Sequence, residues 1–462
     1  MTRRGLRLPA LAALGVGILF CILAGASQRL LDDIGAMSPG RTRAYVGWAG
    51  AAGVLFAAAV MVVALAPTGS GLRIAAILLL GAAMRLAVFV PPPLLSTDVY
   101  RYVWDGRVQV AGVNPYRHLP VAPELRPLRD QGAGPAAIYP NINRADFAPT
   151  IYPPAAQALF ALVGLAWPTI WGMKAAMLAF DAITAAAALL LLRAACLPGE
   201  RVLIYAWNPL VVWEFAGGAH VDAGAVGLSA LAILAAVRCS PALAGAALGL
   251  AVLCKLLPAA LFPALWRRWD LRMPLAFGVV VAAGYACYAG AGWRVLGYLP
   301  GYASKEGLGS GSGAFLLRLG AVLGPVPSSA GPGYAVLALL GLLTLALAIV
   351  RRPLPANPAE RAGIICRDAL WLGTATMAAL SPHYPWYLTA LALPAMLAPR
   401  PGALWLMLSA PVLYLDPVLY LDPDHDNVVW PSLVFLPFLR LLGLDLMRTL
   451  RLLPPHAAER GL

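Results

Sequence analysis

Long apolar segments limit what this chain can fold into. A helix needs about 20 apolar residues to cross the hydrocarbon core of a bilayer. Eight segments meet or approach that length: 8–26, 44–66, 72–90, 172–193, 220–237, 272–291, 332–350 and 428–446. Six shorter ones lie at 200–216, 240–254, 256–266, 367–380, 384–399 and 402–416. Because 61% of the residues are hydrophobic and only 12% are charged, these segments predict an all-α, polytopic bundle of about 12 to 14 membrane spans.

The basic residues fall into short clusters between the apolar segments. The formal net charge of +13 would by itself suit a nucleic-acid partner, but the clusters follow the positive-inside pattern of cytoplasmic loops. They are Arg3, Arg4 and Arg7; Arg193 and Arg201; Arg267, Arg268 and Arg272; Arg351, Arg352, Arg361 and Arg367; and Arg448 and Arg451. We therefore expect cytoplasmic termini, a retained first apolar segment, and no nucleic-acid partner.

This orientation predicts a single multi-pass domain, 1–462, in the cytoplasmic membrane, with two long outward loops, 91–155 and 292–331. It requires the run 240–266 to form two short helices, and Lys255 and Pro258 supply the break. The segment 155–169 is too short for a full span, so we expect a half-buried helix at the membrane surface. The six cysteines include no C-x-x-C pair and predict neither a zinc site nor a disulfide framework.

The first outward loop contains a segment dense in charges and aromatic rings, from Ser96 to Tyr116. The prolines at 91–93 end any preceding helix, Ser96 or Thr97 can cap a new one, and Gly112 can end it. At helical spacing one polar face then carries two carboxylates, with the valines away from it; that face comprises Asp98, Arg101, Tyr102, Asp105 and Gln109. We expect a short amphipathic helix whose polar face is held against the membrane surface.

Other outward loops carry further polar and aromatic residues. Tyr152 lies in I-Y-P-P, His220 and Asp222 in G-G-A-H-V-D, and Lys255 at the predicted break. His383, Tyr384 and Trp386 lie in S-P-H-Y-P-W-Y, and an acidic tip is formed by Asp422, Asp424, His425 and Asp426. Because these loops meet on one side of the membrane, they predict an active site on a helical scaffold.

Several of these residues have a plainer interpretation. Asp98 could be a helix N-terminal carboxylate favoured by the macrodipole, and Lys255 could extend to the interface instead of binding an anion. His220 and Asp222 could form a solvated turn, and Trp386 could belong to an aromatic belt.

Two further carboxylates and the acidic tip are not expected to take part in the chemistry. Asp181 and Glu214 are expected to hydrogen-bond within the bundle. The acidic tip, 422–426, lacks the glycine and distal glutamate of a calcium-binding loop and is read as solvated. No metal ligands are predicted.

The side of the membrane narrows the chemistry. An outward site has no nucleotide sugars, so a transferase there must use a carrier such as a polyprenyl phosphate. Such a donor needs cations for its phosphate, for which the chain offers Arg101, Arg107 and Lys255. A carboxylate must activate the acceptor hydroxyl, and Asp98, at a helix N-terminus, suits a general base. Sugar contacts are expected from Asn114, Tyr152, His383 and Trp386.

The pattern D-V-Y-R-Y-V-W-D-G-R-V-Q-x-x-G-x-N-P-Y, followed by T-I-Y-P-P-x-x-Q and A-H-V-D, resembles the bacterial GT-C glycosyltransferases. It is most similar to their polyprenyl-phosphomannose-dependent mannosyltransferases. The resemblance implies that Asp98 is the catalytic base, since the family carries a catalytic carboxylate in its first large outward loop. It also implies transfer with inversion at the sugar carbon, without a cofactor and with at most a loose dependence on a divalent cation.

We therefore predict a GT-C-type hexosyltransferase that moves mannose from a polyprenyl-phosphate donor to a lipid or glycan acceptor outside the cytoplasmic membrane. Asp98 is the base and Asp105 the second candidate. Tyr102, Tyr152, His220, Asp222, His383, Tyr384 and Trp386 are expected to shape the substrate pocket. Membrane lipids surround the protein.

Two alternatives remain open from the sequence. A flippase or transporter of lipid-linked glycans would use Asp181, Glu214 and Lys255 as its pathway. A lipid-linked glycan polymerase or ligase would also place arginine and histidine in outward loops. The charged first loop argues for the transferase.

Overall fold

A computed structural model describes residues 7–27, 39–66, 70–93, 95–129, 134, 136–267, 269–307, 313–415 and 428–450. Within these ranges the regular structure is entirely helical, which confirms the all-α prediction. The predicted acidic tip, 422–426, lies outside the described residues, as do Arg3, Arg4, Arg268 and Arg451.

Nineteen α-helices follow one another along the described chain. The first half contains α1 (Arg7–Ser27), α2 (Pro39–Leu65), α3 (Gly71–Phe89), α4 (Asp98–Val110), α5 (Pro154–Ala166), α6 (Ile170–Ala194), α7 (Leu203–Ala206), α8 (Pro209–Val211), α9 (Asp222–Val237) and α10 (Pro241–Cys254). The second half contains α11 (Phe262–Leu265), α12 (Arg272–Ala286), α13 (Leu299–Lys305), α14 (Phe315–Leu323), α15 (Ala330–Arg351), α16 (Pro358–Leu380), α17 (Ala392–Leu397), α18 (Pro401–Ser409) and α19 (Val429–Thr449).

Tighter and wider helical turns lie between the α-helices. The 3₁₀ segments are Pro123–Leu128, Tyr139–Asn141, Gly199–Val202, Leu257–Leu261, Ala289–Leu296, Pro385–Leu391 and Ala410–Leu415. A π-helix, Val212–Gly217, separates α8 from α9. Many of these turns lie inside the apolar runs of the sequence.

Six described helices are long and apolar enough to cross a membrane: α1, α2, α3, α6, α15 and α19. Two bent pairs raise the number to eight if each pair counts as one span. The chain is therefore a multi-pass membrane protein. The 12 to 14 predicted spans exceed this count because prolines and polar residues divide several apolar runs into short helices.

The run 240–266 shows such a division. Helix α10 ends at Cys254, Lys255 has extended backbone angles (φ −158°, ψ 141°), and a 3₁₀ segment with Pro258 follows. The predicted break at Lys255 and Pro258 is therefore confirmed. Helix α5 has 13 residues, so it is too short for a full span, as the sequence predicted.

The predicted helix after Ser96 is present as α4, and the chain turns after it at Gly112, whose φ is +77°. Its surroundings differ from the expectation. Val99, Val103 and Val108 are buried, but so are Arg101 and Asp105 on the opposite face. Helix α5 covers the buried part of the polar face, where Gln157 donates to Asp105 and accepts from Gln109.

Helices α4 and α5 approach each other closely at Gly106. A Cβ atom at this position would lie 2.2 Å from the backbone oxygen of Phe160, and next to Gly164. One turn away, the ring of Tyr102 stacks on that of Phe160 with centroids 4.7 Å apart. Any side chain at Gly106 would therefore push the two helices apart, because the obstructing atom belongs to the backbone.

Helix α6 fixes the end of α3 that precedes α4. The ammonium of Lys174, fully buried, donates to the backbone oxygens of Val88, Phe89 and Pro91 at 2.8, 2.9 and 2.7 Å. A cation at these carbonyls satisfies acceptors that a helix end leaves open. Lys174 thereby also fixes the backbone that leads from α3 into α4.

The basic clusters gather at one end of helix α16. Arg352 and Arg367 pair with Asp368 at 3.1 and 3.4 Å, and Arg361 donates to the backbone oxygen of Val237 at 2.8 Å. Leu380 lies at the other end of α16, beside a large cavity. Helices rise 1.5 Å per residue, so about 28 Å separates Arg361 from Leu380. Arg361 therefore lies far from the cavity end of α16.

We expect Gly106→Ala to destabilise the protein by roughly 1–3 kcal/mol, the usual cost of overpacking, and to lower activity by displacing α4. Thermal unfolding in detergent measures the first effect. Gly278→Ala is the matched control, since Gly278 is an exposed helical glycine with no atom within 4 Å of its Cβ direction. Equal stability of the two variants would contradict a close α4–α5 contact.

Candidate active site

A cavity of about 1150 Å³ opens where distant segments of the chain meet. Its wall is built from the segments 93–102, 140–153, 254–260, 298–303 and 376–387, with Leu342 and Tyr414. These segments include parts of both long predicted loops, 91–155 and 292–331. The cavity therefore lies where the sequence predicted that the polar residues would converge.

Asp98, in the first turn of α4, is the carboxylate on the cavity wall. Its side chain is 23% exposed, whereas that of Asp105, about two turns further along the same face, is 1% exposed. The amide nitrogen of Asn143 donates to Asp98 Oδ1 at 3.0 Å and to Thr97 Oγ1 at 3.2 Å. Asn143 thus fixes one oxygen of Asp98 and leaves the other available for chemistry.

A buried polar network supports α4 beneath Asp98. Arg101 donates to Asp105 Oδ1 and to the backbone oxygen of Ala148, both at 2.9 Å. Gln157 on α5 donates to Asp105 Oδ2 at 3.0 Å and to Thr150 Oγ1 at 2.8 Å. Asp105 is therefore committed to Arg101 and Gln157 and does not line the cavity.

Lys255 also lines the cavity, but it has a partner. Its ammonium donates to the two carboxylate oxygens of Asp222 at 2.8 and 2.7 Å, and it lies 4.0 Å from the ring centroid of Tyr387. The pair Lys255–Asp222 carries no net charge. Two of the three ammonium hydrogens are used, so the third remains for a ligand.

Aromatic rings form one side of the cavity. Tyr384 stacks on Trp386 at 4.7 Å between centroids, and the hydroxyls of Tyr302 and Tyr387 are 3.1 Å apart. Tyr384 donates to Glu306 Oε1 at 3.2 Å. Burial, followed by the Glu306 carboxylate, raises the pKa of Tyr384, so its phenol remains a hydrogen-bond donor at neutral pH. Flat rings with polar edges are suited to sugar binding.

Apolar side chains also line the cavity, and they make up another part of its wall. They are those of Leu256, Leu257, Ala260, Leu299, Leu342 and Leu380. Leu342 lies on α15, the candidate span that is least covered by protein: only 6% of its apolar window is buried. The apolar wall is thus continuous with a helix surface that faces lipid.

Of the predicted site residues, seven line this cavity: Asp98, Arg101, Tyr102, Tyr152, Lys255, Tyr384 and Trp386. Six lie outside its wall: Asp105, Arg107, Asn114, His220, Asp222 and His383.

Three of these six make contacts elsewhere. Arg107 donates to the backbone oxygen of Pro168 at 3.4 Å, and Asn114 accepts from the backbone N–H of Tyr116 at 3.0 Å. His383 Nε2 lies 3.0 Å from the backbone oxygen of Gly313.

Sequence reasoning overlooked Asn143 and Arg144, which line the cavity. Arg144 has a φ of +57°, a conformation that a non-glycine residue rarely adopts and that often marks a functional position. The only signal in the sequence was the polar stretch N-I-N-R within the first outward loop. Among the described residues, no group of three histidine, cysteine or acidic side chains is placed to hold a metal ion.

The predicted structural carboxylates do bond within the bundle. Asp181 Oδ1 accepts from the Arg85 Nη2 at 3.2 Å and from the Tyr205 hydroxyl at 2.5 Å. The Glu214 carboxylate accepts from the hydroxyl of Tyr414 at 2.9 and 3.1 Å.

An all-α membrane bundle whose cavity is lined by a partly exposed carboxylate, aromatic rings and leucines has features suited to a membrane glycosyltransferase. A family model described as alpha-(1->6)-mannopyranosyltransferase, N-terminal domain, of the MptA_B family matches residues 5–269, more than half of the chain. The chain belongs to this family, and the expected GT-C-type mannosyltransferase class is confirmed. Its activity is mannosyl transfer. No curated protein and no solved structure matches the chain.

The pairing of Lys255 leads to a prediction about stability. Lys255→Met leaves Asp222 buried without its cation, and we expect a loss of roughly 3 kcal/mol, the scale for breaking a buried pair. Asp222→Asn should also destabilise the protein. The double variant should be more stable than the sum of the single losses implies, as a thermal double-mutant cycle would show. Simple additivity would mean that the two residues do not depend on each other.

Proposed function

We propose that this protein transfers mannose from a polyprenyl-phosphate donor to a hydroxyl of a lipid or glycan acceptor on the extracytoplasmic side of the cytoplasmic membrane. The observation that carries the proposal is the mixed lining of the cavity, which brings Asp98 and aromatic rings together with leucines. The family description supports an α-(1→6) linkage.

The apolar wall supports a donor that carries a lipid. A nucleotide sugar has no apolar part that would favour leucine side chains, whereas an isoprenoid chain does. Leu342 and Leu380 lie on α15 and α16, so a lipid chain can extend from the cavity between these helices toward the bilayer.

The polar end of the cavity supports recognition of phosphate and sugar. Arg144, Arg101 and Lys255 contribute positive charge there. Arginine and lysine are the usual partners of a phosphate group. The aromatic side chains of the wall, among them Tyr384 and Trp386, border the space for the mannose. The phosphate and the reacting carbon then lie near Asp98.

In this arrangement Asp98 acts as the general base. Its free oxygen accepts the proton of the acceptor hydroxyl while the hydroxyl oxygen forms a bond to C1 of mannose. The bond between C1 and the phosphate oxygen breaks, and polyprenyl phosphate leaves with the electron pair. Attack opposite the leaving group inverts the configuration at C1. The N-terminus of α4 favours the ionised form of Asp98, and Asn143 holds its orientation.

Asp98→Asn should reduce transfer by about 10²–10⁴-fold, the usual contribution of a general base, with thermal stability nearly unchanged. The assay uses purified protein, radiolabelled polyprenyl-phosphate mannose and α-(1→6)-mannose oligosaccharides, with release of polyprenyl phosphate as a second readout.

Asp105→Asn is the matched control, because Asp105 is buried against Arg101 and Gln157. It should lose stability more than it loses turnover per folded molecule. Full activity of Asp98→Asn would remove the transferase mechanism. Movement of the intact lipid-linked sugar across the membrane without hydrolysis or transfer would favour the flippase.

The extracytoplasmic placement predicts a labelling pattern. Val121, in the first long loop, is 42% exposed. Cys239, in the turn after α9, is a naturally exposed cysteine, which the charge pattern assigns to the cytoplasmic side. With the other cysteines replaced, Val121→Cys should react with a membrane-impermeant maleimide on intact cells. A variant that retains Cys239 alone should react only after lysis. The reverse pattern would place the cavity in the cytoplasm.

A further inference from the structure

His220 is buried between two carboxylates directly behind Asp98. Its Nδ1 lies 3.9 Å from Asp98 Oδ2, and its Nε2 lies 3.3 Å from Glu214 Oε2. The ring is 1% exposed, and neither nitrogen has the geometry of a hydrogen bond. The sequence suggested that His220 would help to shape the substrate pocket, but the structure does not place it in the cavity wall.

The charge state of His220 follows from this arrangement. A neutral imidazole has one donor and one acceptor nitrogen, so one of the two carboxylates would face a lone pair. An imidazolium has a donor on each nitrogen and is attracted to both. A charged ring thus matches both neighbours, which lie within ion-pair distance.

The backbone around His220 is shaped to hold the ring in place. The π-helix Val212–Gly217 carries Glu214, and a turn follows in which Ala219 has a φ of +55°. The backbone N–H of His220 then donates to the backbone oxygen of Glu214 at 3.0 Å. π-Helical turns and left-handed non-glycine residues are both enriched at functional sites.

Side chains complete this enclosure. The ring of Trp386 stacks on that of His220, with centroids 4.0 Å apart and an interplanar angle of 20°. A Cβ on Gly218 would lie 2.8 Å from His220 Cδ2, so the ring fills the space on that side too. Glu214 is held by the hydroxyl of Tyr414. The imidazole has little room to turn away from the two carboxylates.

We propose that His220 is a positioning residue, held as an imidazolium by Glu214, that orients Asp98 Oδ2 and keeps Asp98 ionised when the donor phosphate enters the cavity. This proposal rests on the assignment of Asp98 as the base. A phosphate near Asp98 brings negative charge, which favours protonation of the carboxylate. The fixed positive charge of His220 opposes that effect without touching either substrate.

The groups that face His220 are known from each packed element. Helix α4 contributes Asp98, the π-helix contributes Glu214, and the 3₁₀ segment at 385–391 contributes the uncharged Trp386. On the cavity wall, Lys255 is paired with Asp222 and Arg101 with Asp105, and Arg144 is a further cation. His220 lies within ion-pair distance of Asp98.

The first test measures the charge directly and does not require turnover. The chain has five histidines, so protein labelled with ¹⁵N-histidine in detergent gives few signals, and His220→Gln identifies the one from His220. At pH 7 we expect that signal to be doubly protonated in the wild type, and neutral in Glu214→Gln. A neutral His220 signal in the wild type would overturn the proposal.

The second test follows the pH dependence of mannosyl transfer. Removing a cation next to a carboxylate favours its protonated form, so the acid limb of the profile should move upward by about one pH unit in His220→Gln. His220→Phe retains a ring on Trp386 and should show the same shift. The donor KM should change little in comparison with kcat, since His220 lies outside the cavity wall.

The double variant, His220→Gln with Glu214→Gln, removes one positive and one negative charge together. Its acid limb should return part of the way to the wild-type position, which a merely structural role for His220 would not produce. An acid limb that stays in place in both single variants at His220 overturns the positioning role. An unmoved acid limb removes only the role of His220. The transferase proposal stands in that case, provided that the wild type transfers mannose and Asp98→Asn does not.

Discussion

Pairing of buried charge is the constraint on which this structure depends. In a bundle that is largely surrounded by lipid, an unpaired charge costs several kcal/mol, so each one must meet a partner or water. Lys174 meets three backbone carbonyls at the end of α3, and Lys255 meets Asp222. Arg101 meets Asp105. The Lys174 and Lys255 contacts join different elements of the chain, whereas the Arg101 pair lies within α4, and together they help to set the positions of the helices around the cavity.

The same constraint distinguishes the two carboxylates of α4. Both lie on one face of the helix, seven residues apart. Asp105 is covered by α5 and is satisfied by Arg101 and Gln157, which makes it part of the framework. Asp98 lies at the start of the helix, on the wall of the cavity, where Asn143 donates to one of its oxygens. The two aspartates thus have different roles because α5 covers α4 at Asp105 but not at Asp98.

Local patterns predicted helix boundaries well, and they predicted contacts less well. Prolines and glycines fixed the limits of α4 and the break at Lys255, since they act through the backbone alone. The cations were harder to assign. Arg107 lies near the far end of α4, and Asn114 is used by a turn within its own loop. A list of positive residues near Asp98 in the sequence does not show which of them reach the same cavity.

Composition and periodicity determined by themselves that this chain is an all-α membrane protein, that its first long loop carries a polar helix, and that Asp98 leads that helix. The first two follow from the bilayer, which accepts only segments that satisfy their own backbone. Only the tertiary structure decided that Lys255 is paired, that Asn143 and Arg144 join the site, and that His220 lies behind the base. Such contacts depend on helix packing between distant segments, and no local pattern records them.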